Sequence, residues 1–308
     1  MLKMKSLRES LLDNDLVEKT DNLIRDGILD FLVKNYEGSY KISEKPNKDD
    51  LYEVSCTNRV NIINENITSL TNGYFIWTIV KGSFICHNCN SLKSLEGAPK
   101  EVGGKFNCSH CNSLTSLEGA PKKVGGDFDC SYCDSLKSLD GAPKEVGRCF
   151  YCSMCNYLES LVGAPKKVKE GFYCLSCGAL ISLEGAPKEI GGDFYCNSNK
   201  SLKSLEGAPK KVGRSFDCSM CNSLTSLEGA PEKVGWNFSC NNCNSLISLK
   251  GAPKEVGGIF SCNNCNSLTS LEGAPKEVGG YFYCLSCTNR FTIEDVKKVS
   301  NVKGKIRC

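Results

Sequence analysis

Along most of this chain the hydrophobic positions return with a fixed 22-residue period. Ten phenylalanines, from Phe84 through Phe106 and Phe128 to Phe282, keep that spacing, and each is followed two positions later by a cysteine. The unit reads V-G-G-x-F-x-C-x-x-C-x-x-L-x-S-L-E-G-A-P-K-x, clearest from Val102 to Lys123. A short fixed period is the mark of stacked coils in a solenoid. Phe and the first Cys are separated by one residue, so on an extended segment they share a face, turned inward, while the residue between them faces out. Leu at three and six positions beyond the second Cys, as in Cys111, Leu114 and Leu117, continues the interior. Gly97-Ala98-Pro99 and its copies supply one turn, and pairs such as Gly125-Gly126 a second corner. Equivalent strands then stack about 4.8 Å apart in a parallel sheet.

The first 45 or so residues follow a helical period instead: Leu7, Leu11 and Leu12 in one segment, then Leu23, Ile24, Ile28, Phe31 and Leu32 in another. Two short helices are expected, the second capped by Thr20 or Asp21 and closed at Asn35 with Gly38. Such helices either cover the open end of the solenoid or dock elsewhere. Ser43 to Asp50 reads as a linker. Four regions follow: a helical segment and linker over 1–50, a degenerate capping repeat over 51–83, the regular array over 84–290, and a C-terminal capping repeat over 291–308. The last ends on Val302-Lys303-Gly304-Lys305-Ile306-Arg307-Cys308, a near twin of Val80 to Cys86.

The order F-x-C-x-x-C-x-x-L resembles the L-x-L-x-x-(N/C)-x-x-L of leucine-rich repeats, and L-x-S-L-E-G-A-P-K-x-V resembles the return segment of the short bacterial form. The resemblance covers residues 52–308. Two departures stand out: Val lies four residues before Phe rather than three, and Cys takes the family's Asn position. Repeats of this type are similar to those of uncharacterised phage and gut-bacterial proteins, a setting that carries no activity. The resemblance implies a right-handed leucine-rich-repeat superhelix with a parallel β-sheet on the concave face and an extended, turn-rich convex side, plus the short helical N-terminal segment.

Composition sharpens this in one respect, the 22 cysteines. Nine C-x-x-C pairs have spacing compatible with tetrahedral zinc. One copy, however, reads Cys196-Asn197-Ser198-Asn199, and the only histidines are His87 and His110. Asn199 is the leucine-rich-repeat residue and a poor zinc ligand, so the cysteines read as buried structural thiols, with no metal or other cofactor expected. Cys149 falls outside the repeat positions and is expected to face outward as the most reactive thiol.

A net charge of +3 with interleaved signs argues against nucleic acid and anionic membranes. Lysines recurring from Lys100 to Lys276 and glutamates from Glu96 to Glu272 are expected to screen one another. No apolar run approaches a membrane span, the longest being Tyr74 to Val80, and no h-region follows the basic N-terminus. A cytoplasmic, non-secreted protein is expected, in a host cytoplasm if phage-encoded. No catalytic constellation appears and no small-molecule substrate is implied; the chain is expected to be non-enzymatic.

Binding chemistry is then sought at outward strand positions that the scaffold leaves free. Tyr151, Tyr173 and Tyr195 form an aromatic strip flanked by Asp129 and Asp217, with Tyr132 and Met154 on the loop side. The expected function is a protein-interaction module using the concave face. A thiol-based zinc or soft-metal binder and a structural phage or virion component are the alternatives.

Overall fold

The computed structural model describes residues 14–308. Each regular coil carries two short parallel strands that meet at the Gly-Gly corner. One holds a charged residue and Val, as in Glu145–Val146, and the next holds Phe and an outward residue, as in Phe150–Tyr151. Stacking the coils gives two 13-stranded sheets. Register never slips in the array: Phe128 faces Phe150, Asp129 faces Tyr151, and Val146 faces Val168. The segment before the Gly-Gly corner is therefore a second parallel sheet, where the sequence had led only to extended and turn structure.

The interior is set by side-chain alternation. Phe, both cysteines, both leucines and Val of a coil are buried, as in Phe128, Cys130, Cys133, Leu136, Leu139 and Val146. Phe rings lie nearly parallel on their successors, Phe216 on Phe238 at 5.4 Å and 4°. Full burial of each such ring stabilises the stack by about 1.5–3 kcal/mol.

The corners are made by glycine. In Leu-Glu-Gly-Ala the Ala98 N–H donates to the Leu95 carbonyl at 2.9 Å, and Gly97 sits at φ +85°. That is a type II turn, whose third residue must reach positive φ. At the other corner a Cβ on Gly213 would lie 2.1 Å from the Gly191 carbonyl oxygen of the preceding coil. Glycine there lets the coils approach to strand spacing.

The N-terminal end is closed by α1 (Asn14–Asn35), β1 (Tyr36–Glu37) and β2 (Tyr40–Ile42). The helix runs unbroken through Thr20 and Asp21, so neither begins a second helix; the segment around Leu7, Leu11 and Leu12 lies outside the described residues. Asn35 does end the helix, but the chain then passes directly into β1. Strand β1 pairs antiparallel with β4 (Val60–Ile62), and β2 with β3 (Tyr52–Cys56). Ser43 to Asp50 is the loop of the β2–β3 hairpin, with the Asn47 carboxamide oxygen accepting from the N–H groups of Asp49 and Leu51. Ile28 and Leu32 of α1 are fully buried in the core, and Phe31 meets Phe75 of β5 (Phe75–Val80) at 6.0 Å. The helix thus covers the core at this end.

Strands β6 (Phe84–Ile85) to β24 (Phe282–Tyr283) form the regular array. At its far side α2 (Ile293–Val299) starts at a capping box. The Thr292 hydroxyl accepts from the Asp295 N–H, and the Asp295 carboxylate accepts from the Thr292 N–H. This helix was not foreseen, although Thr-x-x-Asp is a helix-start signal. Strands β25 (Asn301–Val302) and β26 (Ile306–Arg307) then extend the two sheets. Among the described residues no helix is long and apolar enough to cross a membrane.

Candidate binding face on the phenylalanine sheet

Because Phe points inward, the residue after it stands on the outer surface of the same sheet. Tyr151, Tyr173 and Tyr195 occupy this column in successive coils and pair in register. Tyr151 and Tyr173 are stacked at 4.8 Å, while Tyr195 meets Tyr173 edge-on at 5.4 Å and 88°. All three are half-buried. Burial, followed by the nearby Cys149 thiol, holds the Tyr151 phenol well above its usual pKa and raises that of Tyr173 to about 12. Burial and then Asp193 and Asp217 raise that of Tyr195.

The repeat breaks beside this shelf. The first corner position, glycine in the other coils from Gly103 to Gly279, is Lys169 here, and the corner reads Lys169-Glu170-Gly171. A Cβ at Gly171 would collide with the Tyr173 ring, 2.6 Å from both Cε2 and the hydroxyl oxygen. The displaced glycine is therefore what lets the tyrosine lie over its own strand. The preceding coil carries Arg148 and Cys149 at the same corner, with Arg148 Nε 3.5 Å from a Glu170 carboxylate oxygen. Cys149 and Glu170, with Lys169, Tyr173, Asp193 and Arg214, line a shallow cavity of about 240 Å³. Further along the corner, Arg214 lies 5.2 Å from the Trp236 ring, which is exposed.

Cys149 does stand outside the interior columns, but only 8% of it is exposed. It faces outward as expected, but it is covered rather than open to solvent. Alternation sends it outward, and the tyrosine shelf and Glu170, 3.9 Å from its sulfur, cover it. The exposed cysteine is Cys308.

Asp129 and Asp217 flank the shelf as the register requires, yet both are engaged locally. The Asp129 carboxylate accepts from the Ser131 N–H at 3.1 Å and from Lys105 Nζ at 2.9 Å. That of Asp217 accepts from the Ser219 N–H at 2.8 Å. Tyr132 and Met154 lie at the turn inside C-x-x-C rather than on the shelf. Both have positive φ, 60° and 56°, and both are exposed. His110, one coil before Tyr132, stacks on it at 4.3 Å. A non-glycine residue at such φ carries a modest strain. The signal for the cavity edge was present in the sequence as the lost glycines at Lys169, Glu170 and Arg214.

The cysteines are occupied by the backbone. The second thiol of a coil donates to the carbonyl of the first cysteine one coil earlier: Cys133 to Cys108 at 3.2 Å, Cys155 to Cys130 at 3.2 Å, Cys243 to Cys218 at 3.3 Å. Asn199 makes the same bond, its Nδ2 donating to the Cys174 carbonyl at 2.9 Å, and its Oδ1 accepts from the Cys177 N–H. Cys and Asn are thus interchangeable donors to a buried carbonyl. Burial pushes the Cys130, Cys152 and Cys218 thiols well above their usual pKa, and those of Cys177 and Cys221 up to about 12. Among the described residues no three His, Cys, Asp or Glu side chains gather as metal ligands.

The lysine column from Lys100 takes part in no ion pair among the described residues. The ion pairs between coils involve other lysines, such as Lys167 with Glu145 at 3.0 Å and Lys250 with Glu228 at 3.2 Å. The expected mutual screening is thus not made by direct pairing of the lysine and glutamate columns. No protein-family model, curated protein or solved structure matches this chain.

Proposed function

We propose that this chain is a non-enzymatic interaction module of leucine-rich-repeat type, which holds a protein partner on the outer face of the phenylalanine sheet at Tyr151, Tyr173 and Tyr195. The observation that carries this reading is the coincidence of the aromatic shelf with the break in the glycine corner. The first corner glycine is kept in the other coils from Gly103 to Gly279, where a Cβ would meet a carbonyl of the preceding coil, whereas here Lys169 replaces it and Gly171 stands where it frees a tyrosine ring. Tyrosine is suited to the task because it contributes a large amphipathic surface with few rotatable bonds. The interchange of Asn199 with cysteine supports both the leucine-rich-repeat reading and a structural role for the thiols, in preference to zinc binding. A thiol-filled interior fits a reducing compartment such as the cytoplasm.

The test is affinity capture from source-cell extract with three baits: the full chain, its Tyr151→Ala/Tyr173→Ala/Tyr195→Ala variant, and a Ser239→Ala/Ser261→Ala control on the same sheet. The reading requires a protein held by the chain and the control but lost by the tyrosine variant. Equal retention by all three would place recognition elsewhere.

A further inference from the structure

The first cysteine of a coil points into the core, and at Cys130, Cys174, Cys218, Cys240 and Cys262 its sulfur approaches a carbonyl of the following coil, as Cys262 approaches Tyr283 at 3.5 Å. The last pair behaves differently. Strand β26 lies in register beside β24, with Tyr283 facing Arg307, and the Arg307 carbonyl accepts the Cys284 N–H at 2.9 Å. The Cys284 sulfur turns instead to the sulfur of Cys308, 3.0 Å away. Neighbouring strands place Cα atoms at about 4.8 Å, inside the roughly 4.4–6.8 Å range of disulfides. At those five positions the sulfur is turned to a carbonyl, whereas Cys284 and Cys308 turn their sulfurs to each other. Cys308 is also the one exposed cysteine, open to a reagent from solution.

We propose that Cys284 and Cys308 form a redox modification site that a small-molecule disulfide such as glutathione disulfide converts into a bridge locking the last coil to the array. The Cys308 thiolate, formed by proton loss to solvent, attacks one sulfur of the reagent. A mixed disulfide forms and one glutathione thiolate leaves. Cys284 then loses its proton and attacks the Cys308 sulfur, expelling the second glutathione. Two protein thiols are oxidised to one disulfide, and one glutathione disulfide is reduced to two thiols. Burial raises the pKa of both protein thiols, so the exchange accelerates as pH rises above neutrality. The neighbouring Cys287 thiol, lowered to about 7 by the hydrogen bond with Cys262, is the competing nucleophile. The bridge would tie β26 to β24 and hold α2, which lies between them in sequence.

The experiment exposes the folded full chain to excess glutathione disulfide, quenches with acid, alkylates free thiols and maps peptides by mass spectrometry. The expected product has lost two hydrogens and links Cys284 to Cys308. Cys308→Ser abolishes it, and Cys284→Ser leaves glutathione on Cys308. Amide exchange over residues 301–307 is expected to slow by about tenfold or more on oxidation and to recover with a thiol reductant. Glutathione retained on Cys308 in the unaltered chain, a bridge through Cys287, or an unreactive Cys308 would each overturn the assignment.

Discussion

Two stretches of the phenylalanine sheet share one interior and differ only outside. Over Tyr151 to Tyr195 the outer column is aromatic, half-buried and bordered by the corner where Lys169 and Glu170 replace the glycine pair. Over Asp217 to Asn263 it is a closed polar ladder. Ser219 and Ser239 hydroxyls meet at 2.7 Å, Asn241 Nδ2 donates to Ser239, Ser261 donates to Asn241 Oδ1, and the Asn263 N–H does the same. The second stretch spends its polar groups on its own neighbours. The first leaves ring faces half-exposed beside a cavity. A scaffold copied coil by coil thus separates what holds the fold from what is available for contact.

If the interiors are equivalent, Phe172→Ala and Phe238→Ala should cost the same, about 3–5 kcal/mol each in urea unfolding. Both rings are fully buried between two others. A markedly smaller loss at Phe172 would mean that the irregular corner has loosened the core beneath the tyrosines, and the contrast would no longer be confined to the surface.

The corner is the next place to probe. Gly213→Ala drives a Cβ against the Gly191 carbonyl and should destabilise by about 1–3 kcal/mol. Lys169→Ala occupies the equivalent position in the relaxed coil, where a Cβ is already accommodated, and should change stability by less than about 0.5 kcal/mol. Similar losses at both positions would show that Lys169 is under the same constraint as its glycine counterparts.

These contrasts also mark how far the sequence could be read. The 22-residue period placed Phe84 to Phe282, the cysteines and the leucines inside, because an interior column tolerates few residue types. Asn199 marked its column as a structural position and not a zinc half-site, but the shared role of donor to a buried carbonyl, such as that of Cys174, is visible only in the structure. The second sheet escaped notice because two-residue strands such as Glu145–Val146 have no alternation of their own; only stacking makes them strands. The continuous α1 escaped because Thr20 and Asp21 look like caps until tertiary burial of Ile28 and Leu32 carries the helix past them. For the binding face, register gave Tyr151, Tyr173 and Tyr195, but burial of Cys149 depends on ring positions that no spacing encodes.

On the outer surfaces themselves, Asn241→Ala should cost about 1 kcal/mol, since it removes the central member of the ladder and leaves Ser261 and the Asn263 N–H without their acceptor. Tyr173→Ala should cost less in stability and more in capture of the partner. The reverse ranking would make the tyrosines structural and the serine–asparagine stretch the better candidate for contact.

The smallest effect is titration of the shelf. An ordinary tyrosine ionises near pH 10, whereas burial and the neighbouring Cys149 hold the Tyr173 proton until about 12. The unfolded chain therefore releases this proton first. The stability linked to it is intact below pH 10 and is lost as pH rises from 10 to about 12. Following phenolate absorbance in the folded chain, Tyr173→Phe should remove a late-ionising component. Cys149→Ala should move that component to lower pH, because it takes away a neighbouring thiol and opens the ring to water. A component that stays in place in Cys149→Ala would mean that burial by the stacked tyrosines alone sets it, making the shelf a self-contained aromatic stack on which the broken corner has no electrostatic hold.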